Sequence, residues 1–261
     1  WRFTMVTPID LDADGQFDII GISEQGKLTG LSIGSDGKWH SPRELGLSLA
    51  ELGDVTGLGL VDLDGDGAQE ILVSAENGWR VAKVDEAATL IAEGPHSMAT
   101  YLVNHDGSIT VIGISAENQL VGQTTGTGRG PAVAIALTGL EDTGQGMRSN
   151  ASGYGTRVAV RNGGRWTVAE MYRLNPGPGQ SQLPLSVGLA GNQSADFVAV
   201  DWSDGVYQTE LDIPAGKVSV VTETQRQLAS CPVLFAWDGT KYRFVSDVLG
   251  VGGIGFAVGP G

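Results

Sequence analysis

The chain has 261 residues and carries 30 Asp and Glu against 16 Lys and Arg, a formal net charge of −14. That balance disfavours nucleic acid and anionic membrane surfaces as partners, and no apolar stretch approaches the length of a membrane span. Gly supplies 40 residues and the apolar runs are short, which points to an all-β chain of many strands and tight turns.

The first informative element is Asp10-Leu11-Asp12-Ala13-Asp14-Gly15-Gln16-Phe17-Asp18. Carboxylates occupy loop positions 1, 3, 5 and 9, Gly15 supplies the turn at position 6, and only the backbone carbonyl of Gln16 is needed at position 7. Asp62-Leu63-Asp64-Gly65-Asp66-Gly67-Ala68-Gln69-Glu70 repeats the pattern, with Ala68 at position 7. Four carboxylates within nine residues repel one another unless a cation lies between them, and the spacing suits a hard, oxygen-liganded ion such as Ca²⁺. A solvated Asp-Gly turn is the plain alternative for one such loop; two copies in one register weaken it. The expected calcium ligands are Asp10, Asp12, Asp14, Gln16 and Asp18 in one site, and Asp62, Asp64, Asp66, Ala68 and Glu70 in a second.

Neither loop is an EF-hand. Position 12, where an EF-hand needs Glu, is Gly21 in one and Val73 in the other. The flanks Asp18-Ile19-Ile20-Gly21-Ile22 and Glu70-Ile71-Leu72-Val73 are β-branched and short, so each loop is expected to feed a buried strand. Between the loops, Lys27 to Ile33 and Lys38 onward flank the hairpin turn Ser35-Asp36-Gly37, and Leu49 to Gly53 reads as a short helical turn.

A third copy follows at Leu102 to Thr110, with Leu102, Asn104 and Thr110 replacing acids and Asp106 alone retained. It keeps the turn and the strand, and metal is not expected there. Starts at 10, 62 and 102 give a period of one four-stranded propeller blade per copy. Three blades do not close a ring, so either further blades precede them or open edges pack against something else. The start at Trp1, without Met or signal peptide, reads as a mature or internal piece of a longer polypeptide.

From about Leu140 the pattern changes. Glu141 to Gly155 reads as a linker, Thr156 to Arg161 and Arg165 to Tyr172 as a hairpin about Asn162-Gly163-Gly164, and Asn175 to Gly179 as a Pro/Gly loop. Ala195 to Trp202 alternates as a strand and ends in Ser203-Asp204-Gly205. A last hairpin runs from Val233 to Trp237 and from Lys241 to Ser246, before an uncharged Gly-rich tail from Gly250 to Gly261 that again reads as truncated. The lone Cys231 offers no internal disulfide and reads as a small buried residue.

Other motifs carry less. Gly30-Leu31-Ser32-Ile33-Gly34 fits a nucleophile elbow but is followed by a hairpin rather than a helix. Gly250-Val251-Gly252-Gly253-Ile254-Gly255 lacks the helix and the distant acid of a dinucleotide site. His40, His96 and His105 share no ligand spacing. Trp202 and Trp237 read as hairpin packing before sugar stacking. Asp201 and Asp204 are the local candidates for a carboxylate pair, and Asn150-Ala151-Ser152 and Asn192-Gln193-Ser194 are sequons.

The acidic loops with their following strands resemble the FG-GAP/VCBS repeats, the calcium-binding blades of integrin-like propellers. Asn150 to Val158, Ser186 to Ala190 and Ala195 to Gly205 resemble the ASPIC/UnbV domain: a Gly-x-Arg strand, a "GLG"-like turn and a strand ending in a Trp-x-x-Gly turn. Gly188-Leu189-Ala190 departs slightly from that turn, whereas Trp202-Ser203-Asp204-Gly205 agrees. The combination resembles the cartilage acidic protein family and its bacterial relatives.

The resemblance implies a partial β-propeller over residues 1–140, a small β-sandwich-like ASPIC/UnbV domain over 141–215, and a C-terminal β-hairpin with its tail over 216–261. It also implies calcium ligation at the acids of both loops, with Glu70 in place of Asp altering the second site, and no defined catalytic residues. The expectation is therefore a non-enzymatic, calcium-stabilised module of adhesion type. Loops of this kind fill where Ca²⁺ is millimolar, which places the protein outside the cytoplasm: secreted, periplasmic or at the cell surface. A protein partner or self-assembly is expected. A segment of a larger filament or complex and a carbohydrate-binding or carbohydrate-active protein stand as alternatives, with a glycan as the ligand of the latter.

Overall fold

The computed structural model describes residues 2–9, 17–34, 36–84, 88–124, 129–142, 147–171, 178, 184–224 and 233–247. The described residues are all-β apart from one 3₁₀ turn, Ala50–Leu52, within the stretch expected to turn helically. They form several sheets, none closed into a barrel. Residues 1–224 pack as one unit and 225–261 as another.

Three antiparallel meanders come first. Strands β1 (Phe3–Ile9), β2 (Asp18–Ser23), β3 (Leu28–Leu31) and β4 (Arg43–Glu44) form one, and β5 (Val55–Val61), β6 (Glu70–Ala75), β7 (Gly78–Ala82) and β8 (Leu90–Gly94) the next. The third has β9 (Ser97–Val103), β10 (Ile109–Ile114) and β11 (Leu120–Thr124). Each acidic loop, intact or decayed, joins the first two strands of its meander.

The middle meander is buried on both faces, and side-chain alternation along β6 explains how. Ile71 and Val73 join Ile9, Ile20, Ile22 and Leu28 in a core shared with the first meander. Leu72 points the other way and joins Trp79, Tyr101, Ile109 and Val111 in a core shared with the third. Leu63, at position 2 of the loop, enters that second core and anchors the loop from below.

Beyond the meanders lie β12 (Ala132–Thr138), β13 (Glu141–Asp142), β14 (Met147–Arg148), β15 (Arg157–Asn162), β16 (Arg165–Glu170), β17 (Leu185–Gly188), β18 (Ser194–Asp201), β19 (Tyr207–Pro214) and β20 (Val218–Thr222). Strands β16-β15-β18-β19 form an antiparallel sheet, while β12 lies between β17, antiparallel, and β20, parallel. The two sheets bury Val133, Ile135 and Leu137 of β12 against Val158, Val160, Val198 and Val200, with Trp202 at the margin, in the manner of a sandwich. Val133, Ile135 and Leu137 of β12 and Val221 of β20 share this core, and the two strands pair in parallel. Glu141 to Gly155 contributes the short ladder β13–β14 and buried Met147, so its described part is packed chain.

Residues 225–261 are described only as the hairpin β21 (Val233–Trp237) and β22 (Tyr242–Asp247), where Trp237 stacks edge-on against Tyr242 with ring centroids 5.3 Å apart. Cys231, the tail from Gly250 and its Gly-x-Gly-x-x-Gly match lie outside the described residues.

Candidate metal centre

The loop from Asp62 to Glu70 is folded by its own carboxylates. Asp62 Oδ1 accepts the Gly65 N–H at 2.8 Å and Oδ2 the Gly67 N–H at 3.0 Å. Asp64 Oδ1 accepts from Asp66 N at 3.1 Å, Asp66 Oδ1 from Ala68 N at 2.7 Å, and Glu70 Oε2 from Leu63 N at 2.7 Å. Gly65 and Gly67 take φ of +77° and +87°, which a side chain would resist. The result brings one oxygen each from Asp62, Asp64 and Glu70 within 4.8 Å of one another.

Glu70 is fully buried, and its Oε1 has no hydrogen-bond partner among the described residues. Burial pushes its pKa from 4.5 to about 8, against the Leu63 N–H and with the help of Asp62, Asp64 and Asp66. Burial likewise raises Asp62 from 3.8 to about 6, although Gly188 N–H and Arg129 oppose it. A buried acceptor without a donor is costly unless something cationic or protic meets it. An all-oxygen acidic set with one orphaned oxygen fits a hard divalent cation, which would supply the missing charge and release the proton.

Not every expected ligand joins the triad. Asp66 Oδ2 lies 2.6 Å from Lys83 Nζ, which is also 2.6 Å from Asp64 Oδ2. Burial raises the Asp66 pKa, but Lys83 and the Ala68 N–H outweigh it and the net shift is downward. The two carboxylates in turn raise Lys83. Ala68 gives its N–H to Asp66. Of the first loop, Asp10, Asp12, Asp14 and Gln16 lie outside the described residues; buried Asp18 accepts the Ile33 N–H at 2.9 Å. In the third copy the Asn104 amide replaces an acid and donates to Ser108 Oγ at 2.8 Å and Thr110 Oγ1 at 3.1 Å. A mixed network with one carboxylate stands there, Asp106 Oδ1 accepting from Ser108 Oγ at 2.6 Å, in place of a cluster of acids.

Residues far along the chain set where the second loop sits. Gly188 donates to Asp62 Oδ2 at 2.6 Å, Arg165 Nη1 to Asp66 O at 2.8 Å, and Thr167 Oγ1 to Gly67 O at 2.5 Å. Arg129 spans the junction: Nη2 donates to Asp62 O and to Ser186 Oγ, both at 2.9 Å, and Nη1 to Gly107 O of the third copy. Arg157 lies over the Phe17 ring, 5.8 Å from its centroid, beside the first loop. Lys83 alone was traceable from sequence. The β6–β7 hairpin pairs Ile71 with Ala82, so the next step sets Lys83 opposite Glu70.

Ser32 Oγ lies 3.3 Å from His40 Nδ1, but on an exposed strand–turn–strand closed by the Ile33–Trp39 bridge, not on a strand-to-helix elbow. Trp202 is buried and donates to Gln208 Oε1 at 3.0 Å. Asp204 accepts N–H groups from Arg148 and Val206. Asn150 and Asn192 are exposed; Asn150 Nδ2 donates to Tyr154 O four residues on, and Asn192 Nδ2 to Asn162 Oδ1 thirty residues back.

The comparison with curated proteins gives no match. Residues 10–73 match the model of the FG-GAP-like repeat, and residues 146–228 match that of ASPIC and UnbV. Two separate stretches of this β-rich chain are thus similar to an FG-GAP-like repeat and to an ASPIC/UnbV domain.

Proposed function

We propose that this protein is a non-enzymatic, calcium-stabilised interaction module of adhesion type that works outside the cytoplasm. Its meanders serve as propeller-type blades, and both acidic loops, Asp10 to Asp18 and Asp62 to Glu70, take Ca²⁺. The observation that carries the reading is the orphaned, buried Glu70 Oε1 within the Asp62–Asp64–Glu70 triad. When bound, Ca²⁺ supplies positive charge to these oxygens. The chain's own part is to hold Asp62 with backbone N–H groups and to set Leu63 in the core beneath. Extracellular calcium is millimolar, within the range where modules of this ligand type fill. Thermal melting of the whole protein in CaCl₂ and in EGTA tests it: calcium should raise the melting temperature, and identical curves would sink the reading.

A second reading, a segment of a larger assembly, has its own support. Leu234, Phe235, Trp237 and Val245 are each about half exposed on a two-stranded hairpin, a unit of marginal stability by itself. Sizing over a wide concentration range separates the two, since assembly requires mass to rise with concentration.

A further inference from the structure

The loop from Asp62 to Glu70 gathers carboxylates on one side and turns its backbone to the second module on the other. Besides Asp66 O and Gly67 O, which accept from Arg165 and Thr167, Gly65 O accepts the Ala190 N–H at 3.1 Å and Asp64 O accepts Gly130 N–H at 2.8 Å. Four consecutive loop carbonyls thus point at residues 130–190, and Asp62 Oδ2, a candidate ligand group, holds Gly188 N–H. There is no room for a looser fit: a Cβ on Gly188 would lie 2.2 Å from Gly65 C. A fully buried Glu70 with a partnerless oxygen marks the same loop as built for a cation.

We propose that loading of this loop and seating of the ASPIC/UnbV module on it are a single coupled equilibrium, with Arg165, Thr167 and Gly188 as positioning residues for the cation. The proposal rests on the calcium reading above. A cation fixes the carboxylates, the carboxylates fix the loop backbone, and that backbone presents its carbonyls in the one register the module can grip. Coupling of this kind is reciprocal: the factor by which calcium strengthens the seating is the factor by which the seating strengthens calcium binding, so loosening the grip must weaken the metal.

The test is amide hydrogen exchange of the full chain in CaCl₂ and in EGTA, with calcium calorimetry on wild type and on Arg165→Gln/Thr167→Val. Calcium should slow exchange about tenfold at residues 186–190 and 165–168 as well as within 63–70. The double variant, which alters no carboxylate, should bind calcium roughly five- to tenfold more weakly, with an unchanged far-ultraviolet spectrum. Calcium heat with protection confined to 63–70, or an unchanged affinity in the variant, overturns the coupling and leaves the calcium reading standing. Absence of calcium heat in the wild-type chain overturns both.

Discussion

Gly188 donates its backbone N–H to Asp62 Oδ2 at 2.6 Å across 126 residues of sequence. That bond ties the first acid of the loop to the end of β17 in a separate sheet. Asp62 supplies the acceptor, and Gly188 is the residue whose missing side chain lets the two backbones meet.

Replacing Gly188 by Ala should therefore destabilise the protein by about 1–3 kcal/mol, the usual range for overpacking a filled site. The added methyl would meet Gly65 backbone, which has no flexible end to yield. Denaturant melts of Gly188→Ala beside Gly164→Ala, whose methyl would meet nothing within 4 Å and which, like Gly188, has no positive φ, check this. Equal losses in the two variants would contradict the packing argument.

Glu70→Gln should separate metal from fold. Glu70, with a pKa raised to about 8, is largely protonated at pH 7 in the metal-free protein, so the amide is a fair mimic of that state. The metal-free melting temperature should hold or rise, while the increment from calcium at this loop disappears. A variant that keeps the full calcium increment would exclude Glu70 as a ligand.

Stability should depend on pH in opposite ways with and without metal. For Glu70 the folded value of about 8 exceeds its ordinary 4.5, and for Asp62 about 6 exceeds 3.8. The folded state then binds more protons at these two groups than the unfolded chain within those windows, so their contribution to metal-free stability is fullest below about pH 4 and is lost as pH rises through about 6 for Asp62 and about 8 for Glu70. The slope is at most about 1.4 kcal/mol per pH unit per group. Calcium replaces the protons, so the gap between melting temperatures in CaCl₂ and EGTA should widen from pH 5.5 to 8. A gap that narrows would reverse the assignment.

Lys83→Met removes the ammonium shared by Asp64 and Asp66. Without metal the two carboxylates are left facing each other, and the melting temperature in EGTA should fall. With metal the competing cation is gone, and calcium affinity should rise several-fold. Calorimetry and melting on the same sample check both directions.

The strands were legible because side-chain alternation and Asp-Gly turns are local signals: Arg157–Asn162 pairs with Arg165–Glu170 about the expected turn, and Val233–Trp237 with Tyr242–Asp247. The spacing that brings Asp62, Asp64 and Glu70 together is a local signal of the same kind. What surrounds them was not. Arg129 and Gly188 reach the loop from 67 and 126 residues away, and Thr167 reaches it from 100. No periodicity encodes such meetings. The parallel pairing of β12 with β20 is hidden likewise, since a parallel partner leaves no turn signature between the strands.

Calcium titration calorimetry of the whole protein, run beside Asp64→Asn/Glu70→Gln, decides whether the acidic loops are metal sites. Two saturable sites should appear in the wild type and one should vanish in the variant. Calcium at a hundredfold excess over Kd should add about 3 kcal/mol per site, or roughly 5–10 °C in melting temperature for a chain of this size. Absence of binding in the wild type, or the same two sites in the variant, would contradict the calcium reading.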